Sequence, residues 1–173
     1  MTRAITETQG TLDGSGLRIA VVQSLFNRVV TDGLLTAALE TLDEAGVDDV
    51  LVARVPGAFE LPLVARRLAT AGFDGVVALG AVVMGETDHY EHIATQAAAG
   101  LAAVATETGV PIGFGVLTVR QAEHAYARSA PGGGNKGHEA AEAVVRTADL
   151  LRRLESLVGE DGRAHPARGP HGR

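Results

Sequence analysis

Four apolar runs, LRIAVV (17–22), VLVARV (50–55), VVALGAVV (76–83) and PIGFGVLTV (111–119), recur along the chain, each followed by a stretch of helical period. A run of this kind makes a strand covered on both faces, and strands that alternate with helices are joined by crossovers into a parallel sheet. The crossovers are right-handed, which leaves few topologies open.

The helices are marked as clearly. Thr31 and Asp32 offer capping oxygens ahead of Leu34, Leu35, Ala38, Leu39 and Leu42 on one helical face, and Gly46 stands where a left-handed residue ends it. PGAFELPLVARRLATAG (56–72) tolerates Pro62 in a first turn and stops at Gly72. A third helix starts near Thr87 to His89 and runs to Gly109, QAEHAYARS (121–129) is a short one, and the last, from Gly137, turns Val144, Ala148, Leu151 and Leu154 inward. The pattern predicts an α/β fold, a three-layer α/β/α sandwich on a four-stranded parallel sheet, flavodoxin-like in arrangement. Residues 1–16 read as a flexible N-terminal arm, 17–158 as the domain, and 159–173, rich in Gly, Pro, His and Arg, as a disordered tail.

Composition narrows the function. Aromatic residues make up only 3% of the chain, so the core must be aliphatic. A net charge of −6 with a single lysine, Lys136, argues against a nucleic-acid partner, because a phosphate backbone is met by clustered Lys and Arg. There is no cysteine, which removes disulfides, thiolate metal sites and a Cys nucleophile, and fits a cytoplasmic protein. No segment reaches the roughly 18 apolar residues of a membrane helix, and the N-terminus lacks a signal-peptide core. No membrane partner is expected.

In an open parallel sheet ligands bind beyond the carboxyl ends of the strands, where helix N-termini gather. The unusual residues fall there: Phe26-Asn27 after the first strand, PGAFE (56–60) after the second, VMGETDH (83–89) after the third, with Phe114 and Thr118 in the fourth. PGAFE sets an aromatic face beside a carboxylate, which suits a flat heterocycle. The plain alternative puts Phe59 in the core and makes Glu60 a helix cap. In GETDH, Gly85 lets the backbone turn closely, the N–H groups of Glu86 and Thr87 would open a helix, and His89 would stand by a bound anion as a proton-transfer group. Otherwise Thr87 caps the helix and His89 is surface. His89, Glu91 and His92 lack a metal-binding register, so no metal is assigned. RSAPGGGNKGHEAA (128–141) brings Arg128 and Lys136 to either side of a glycine-rich loop, which suits a phosphate or is a mere connector. Glu123 and His124 read as solvated surface.

FN (26–27), VPGAFELP (55–62), GAVVMGETDHYEHI (80–93), FGVLT (114–118), Arg128 and GNKGHEA (134–140) occur in an order that resembles the 6,7-dimethyl-8-ribityllumazine synthase family, over residues 17–157. The resemblance implies condensation of two small molecules, 5-amino-6-(D-ribitylamino)uracil and 3,4-dihydroxy-2-butanone 4-phosphate, releasing phosphate and water, the penultimate step of riboflavin biosynthesis. It implies neither metal nor cofactor. By the same resemblance Phe26 stacks on the pyrimidine, Ala58, Phe59 and Glu60 hold its ring and ribityl chain, and Ala81, Val82 and Val83 line it. Glu86 and Thr87 hold the phosphate and His89 moves the proton. Phe114, Arg128 and Lys136 reach the site from the neighbouring subunit of a homopentamer, and pentamers of this family can close into an icosahedral shell.

Two positions depart from the family pattern. Met84 stands where a basic residue usually precedes the glycine, and the PGGG loop before Asn135 lacks a basic residue often found there. Met84 is the feature favouring a catalytically weak lumazine- or flavin-binding or shell-forming relative. A flavodoxin-like receiver would need paired acids after the first strand, and QSLFN (23–27) has none.

Overall fold

The computed structural model describes residues 5–161. Strands β1 (Arg18–Ser24), β2 (Asp49–Val55), β3 (Gly75–Val83) and β4 (Ile112–Val119) form one sheet in the order β2-β1-β3-β4, every pairing parallel. Helices α1 (Arg28–Glu44), α2 (Leu61–Ala69), α3 (His89–Thr108), α4 (Ala122–Ser129) and α5 (Lys136–Asp161) complete the sandwich. Side chains along the inner strands sort by parity. Ile19, Val21, Val77 and Leu79 pack with Leu34, Leu42 and Val144 on the α1/α5 face, while Ala20, Val22, Val76 and Ala78 pack with Leu61, Leu101 and Val104 on the α2/α3 face. The three-layer α/β/α architecture is as the sequence predicts, and small residues on the strands let the helices lie close without aromatic filler.

The chain goes from β1 to β2 on one side and returns past β1 to β3 on the other, so the topological switch lies between β1 and β3. A crevice opens there at the carboxyl edge.

Local starts and stops differ in places from expectation. Gly46 and Gly72 do take positive φ just past α1 and α2. But α1 begins at Arg28, before Thr31 and Asp32, because Asn27 adopts the left-handed conformation (φ 55°, ψ 49°) and turns the chain at once. Thr31 and Asp32 therefore sit in the first turn and accept from the buried Gln23 Nε2, at 3.4 and 2.6 Å, rather than capping. Leu151 and Leu154, expected inward on α5, are each more than a third exposed. The helix reaches the amino edge of the sheet by Val144, which lies against Gly75 at the start of β3, and its last turns run on past the layer that would cover them.

Residues 10–16 were assigned to a mobile arm, yet they dock on α5. Thr11 donates to Asp149 Oδ2 from its amide (2.8 Å) and from its hydroxyl (2.9 Å), and Arg152 donates to the Ser15 and Asp13 carbonyls. Met1–Ala4 lie outside the described residues, as do 162–173; α5 itself occupies 159–161, the start of the assigned tail.

The Thr11 amide, chiefly, with help from the Thr11 hydroxyl and Arg153, holds the Asp149 carboxyl at about 2 against an ordinary 3.8, although burial opposes the shift. A depressed carboxylate pKa adds stability that is complete above the ordinary value and lost as pH falls through the folded one. The docking should therefore loosen between about 3.8 and about 2. Asp149→Asn should expose the Thr11 amide to rapid hydrogen exchange at neutral pH; protection equal to wild type would count against the clasp.

A second polar clasp joins three helices. Asn135, 1% exposed, donates from Nδ2 to the carbonyls of Gly33 (3.2 Å), Ser129 (2.9 Å) and Ala130 (3.1 Å), and its Oδ1 accepts from the Gly137 amide at 2.8 Å. Gly137 is in turn pressed on α1, where a Cβ would stand 2.0 Å from the Leu34 carbonyl oxygen. Truncating Asn135 strands several buried groups, each costing about 1–3 kcal/mol. Asn135→Ala should thus lower stability by about 2–4 kcal/mol, read as a fall in the urea midpoint at unchanged slope.

Candidate active site

Beyond the carboxyl ends of β1 and β3 lies a cavity of about 660 Å³. Phe26 forms one wall. Its amide donates to the Pro56 carbonyl at 3.1 Å, the Leu25 amide to Val55 at 2.8 Å, and Asn27 Nδ2 to the Ala81 carbonyl at 2.9 Å. The β1 exit is thus tied to β2 and β3 together, and the Phe26 ring stands 67% exposed at the mouth.

A 3-10 turn, Ala58–Glu60, supplies the opposite wall. Glu60 Oε2 accepts from the Gly57 amide at 2.8 Å and closes the turn, while Oε1 has no hydrogen-bond partner among the described residues. Phe59 is 56% exposed, so the alternative that buried it in the core does not hold. Ala81, Val82 and Val83 make the floor, and Gly85 and Thr87 the rim.

Helix α3 starts at His89 after Asp88, whose carbonyl accepts from the Glu91 and His92 amides; Thr87 is not its cap. Thr87 and His89 both line the cavity, beside the partial positive charge of the helix N-terminus. Glu86 is exposed and does not line it. Gly57 and Gly85, of the two edge motifs, also line the space, and so do Tyr90 and Ile93, to which no role was given. Ile93, one turn after His89, was accessible from helical spacing. Tyr90 lacked any such signal.

Phe114, Arg128 and Lys136 are elsewhere in the same chain. They line a second cavity, of about 540 Å³, along β4, together with Arg120, His124 and Glu139. It shares no lining residue with the first. Phe114 also overhangs an apolar groove formed with Ala98, Ala102 and Ala105 of α3. Lys136 Nζ is paired with Glu139 Oε2 at 2.5 Å.

The chain has four Phe and two Tyr. Three of these six rings, Phe26, Phe59 and Tyr90, surround one cavity, and Phe73 is the only Phe in the core. A fold that can fill its interior with Val, Leu and Ala has spent its aromatic faces on a surface opening, the arrangement of a site for a flat ligand. No group of three or more His, Asp or Glu among the described residues could hold a metal ion, and no helix there is long and apolar enough to cross a membrane.

Comparison with known proteins agrees with this geometry. Residues 16–152 match the family model described as 6,7-dimethyl-8-ribityllumazine synthase. The protein of that name from Nitratidesulfovibrio vulgaris is 43% identical over 153 residues, which is 87% of this chain and 98% of the relative. The one from Kineococcus radiotolerans is 49% identical over 148 residues, 84% of this chain and 92% of the relative. With a family match over most of its length and relatives this similar end to end, the chain belongs to the 6,7-dimethyl-8-ribityllumazine synthase family.

Proposed function

We propose that this protein condenses 5-amino-6-(D-ribitylamino)uracil with 3,4-dihydroxy-2-butanone 4-phosphate to 6,7-dimethyl-8-ribityllumazine, releasing phosphate and water. The observation that carries the reading is the ring-lined cavity at the topological switch, which has a histidine and a helix N-terminus on its rim. Phe26 stacks on the pyrimidine and Phe59 flanks it. Ala58 and Glu60 hold the ring and the ribityl chain, Glu60 through its unpartnered oxygen. Ala81, Val82 and Val83 form an apolar floor that excludes water from the condensing atoms. Thr87, with the backbone at Glu86, receives the phosphate at the start of α3.

Amine and ketone join with loss of water, and the phosphate leaves as an anion. Both steps move protons, and His89 is the titratable group on the rim placed to give and take them. Holding two reactants together supplies much of the remaining acceleration.

The site is completed by a second copy. Phe114, Arg128 and Lys136 of one subunit close over the cavity of the next around a ring of five, with Phe114 meeting the pyrimidine and Arg128 the phosphate. Two features support this. The three residues lie together but apart from the first cavity, and the open edge of β4 runs beside an exposed Phe and a small-residue helix face suited to close packing. Rings of five can assemble further into a closed shell, and the cysteine-free chain suits a reducing, cytoplasmic setting.

Mixing purified protein with the two substrates and following the lumazine chromophore tests the reading directly. Formation no faster than the spontaneous reaction would overturn it, and if the product still bound tightly, the weakly catalytic relative suggested by the uncharged Met84 would take its place. Light scattering should give a mass at five subunits or a multiple of five.

A further inference from the structure

We infer that Arg120 and His124 are binding residues for the phosphate-bearing substrate, forming with Arg128 a row of donors, two of them guanidinium cations, that draws the dianion into the site. The inference rests on the shared-site reading above. A phosphomonoester carries close to two negative charges at neutral pH, and a site that holds it well supplies compensating cations. The first cavity has no Lys or Arg in its lining, and Met84, 45% exposed between the lining residues Val83 and Gly85, adds no charge. The α3 N-terminus offers only about half a charge. The missing charge must come from the face that closes over it.

That face carries more than Arg128. Arg120 follows β4 directly, and His124 and Arg128 lie on α4 at spacings of four, so that the α4 pair stacks one turn above the other. All three line the β4 cavity with Lys136. Among the described residues, none of the three side chains makes a hydrogen bond or an ion pair, whereas Lys136 is already engaged by Glu139. Arg120 and His124 are thus two uncommitted donors beside Arg128. His124 donates a ring N–H in either protonation state, so its contribution does not require a charge. Glu139 is the one carboxylate in the lining, and Lys136 occupies it.

Steady-state kinetics on Arg120→Gln, His124→Gln and the double variant test the assignment, with Arg120→Lys as the charge-preserving control and Arg128→Ala as the reference. All three positions are exposed, so the fold should survive, and particle mass confirms it. The double variant should raise KM for the butanone phosphate about tenfold, the scale of losing one or two charge-assisted bonds at a solvated site, with kcat within about twofold and KM for the pyrimidine unchanged. Arg120→Lys should recover most of the Arg120 effect. Inorganic phosphate, titrated by calorimetry, should bind the double variant more weakly by a similar factor. An unchanged phosphate KM in the double variant, with Arg128→Ala impaired, would overturn the role of Arg120 and His124 and leave the shared site standing. Unchanged values in Arg128→Ala as well would overturn both.

Discussion

His89→Ala is expected to slow turnover by between about tenfold and a thousandfold while leaving pyrimidine affinity nearly unchanged. A positioned acid–base group contributes about a hundredfold to ten-thousandfold. The expected loss spans the lower half of that range and the decade below it, because the proposed substrate contacts on the cavity walls and the α3 N-terminus remain in place after the imidazole is gone. His89 lines the cavity at the first residue of α3, and Phe26, Phe59 and Glu60, proposed to hold the pyrimidine, belong to other elements. The loss should therefore appear in kcat and spare the KM of the pyrimidine. Single-turnover measurements of lumazine formation check this, and a wild-type rate in the variant would remove His89 from the chemistry.

Mixing two impaired proteins should restore activity. His89 lines one cavity and Arg128 the other, so a site built between neighbours draws its histidine from one chain and its arginine from the next. When His89→Ala and Arg128→Ala subunits are unfolded together in equal amounts and reassembled at random, a site is intact if its histidine comes from an Arg128→Ala chain and its arginine from a His89→Ala chain. Each condition holds about half the time, so about one site in four should work at the wild-type rate. Against parents impaired tenfold or more, that recovery is easily seen. Mixed rings confirmed by mass that do no better than the average of the parents would refute the shared site.

The layered architecture was legible because each strand is a predominantly apolar run and a parallel sheet has a single edge at which its loops collect chemistry. That rule alone brought Phe26, Ala58, Phe59, Glu60, Val83, Thr87 and His89 to one place, where the structure has them, and the family resemblance added Ala81 and Val82. Contacts between residues distant in sequence were not legible. The early start of α1 depends on Asn27 bonding to Ala81, 54 positions on, and the docking of Thr11 on Asp149 spans 138. Neither leaves a local period. The separation of Phe114, Arg128 and Lys136 from the first cavity likewise leaves no mark in strand and helix patterns. His124 illustrates a subtler limit: its exposure was read correctly, and its company, Arg120 and Arg128 along one cavity, emerged only from the fold.

The clasp between Thr11 and Asp149 and the overrunning end of α5 lie together past the amino edge of the sheet, across the full strand length from the ring-lined cavity. A substitution in that clasp therefore alters stability at an end of the subunit that contributes no residue to the ring-lined cavity, which separates effects on folding from effects on the cavity.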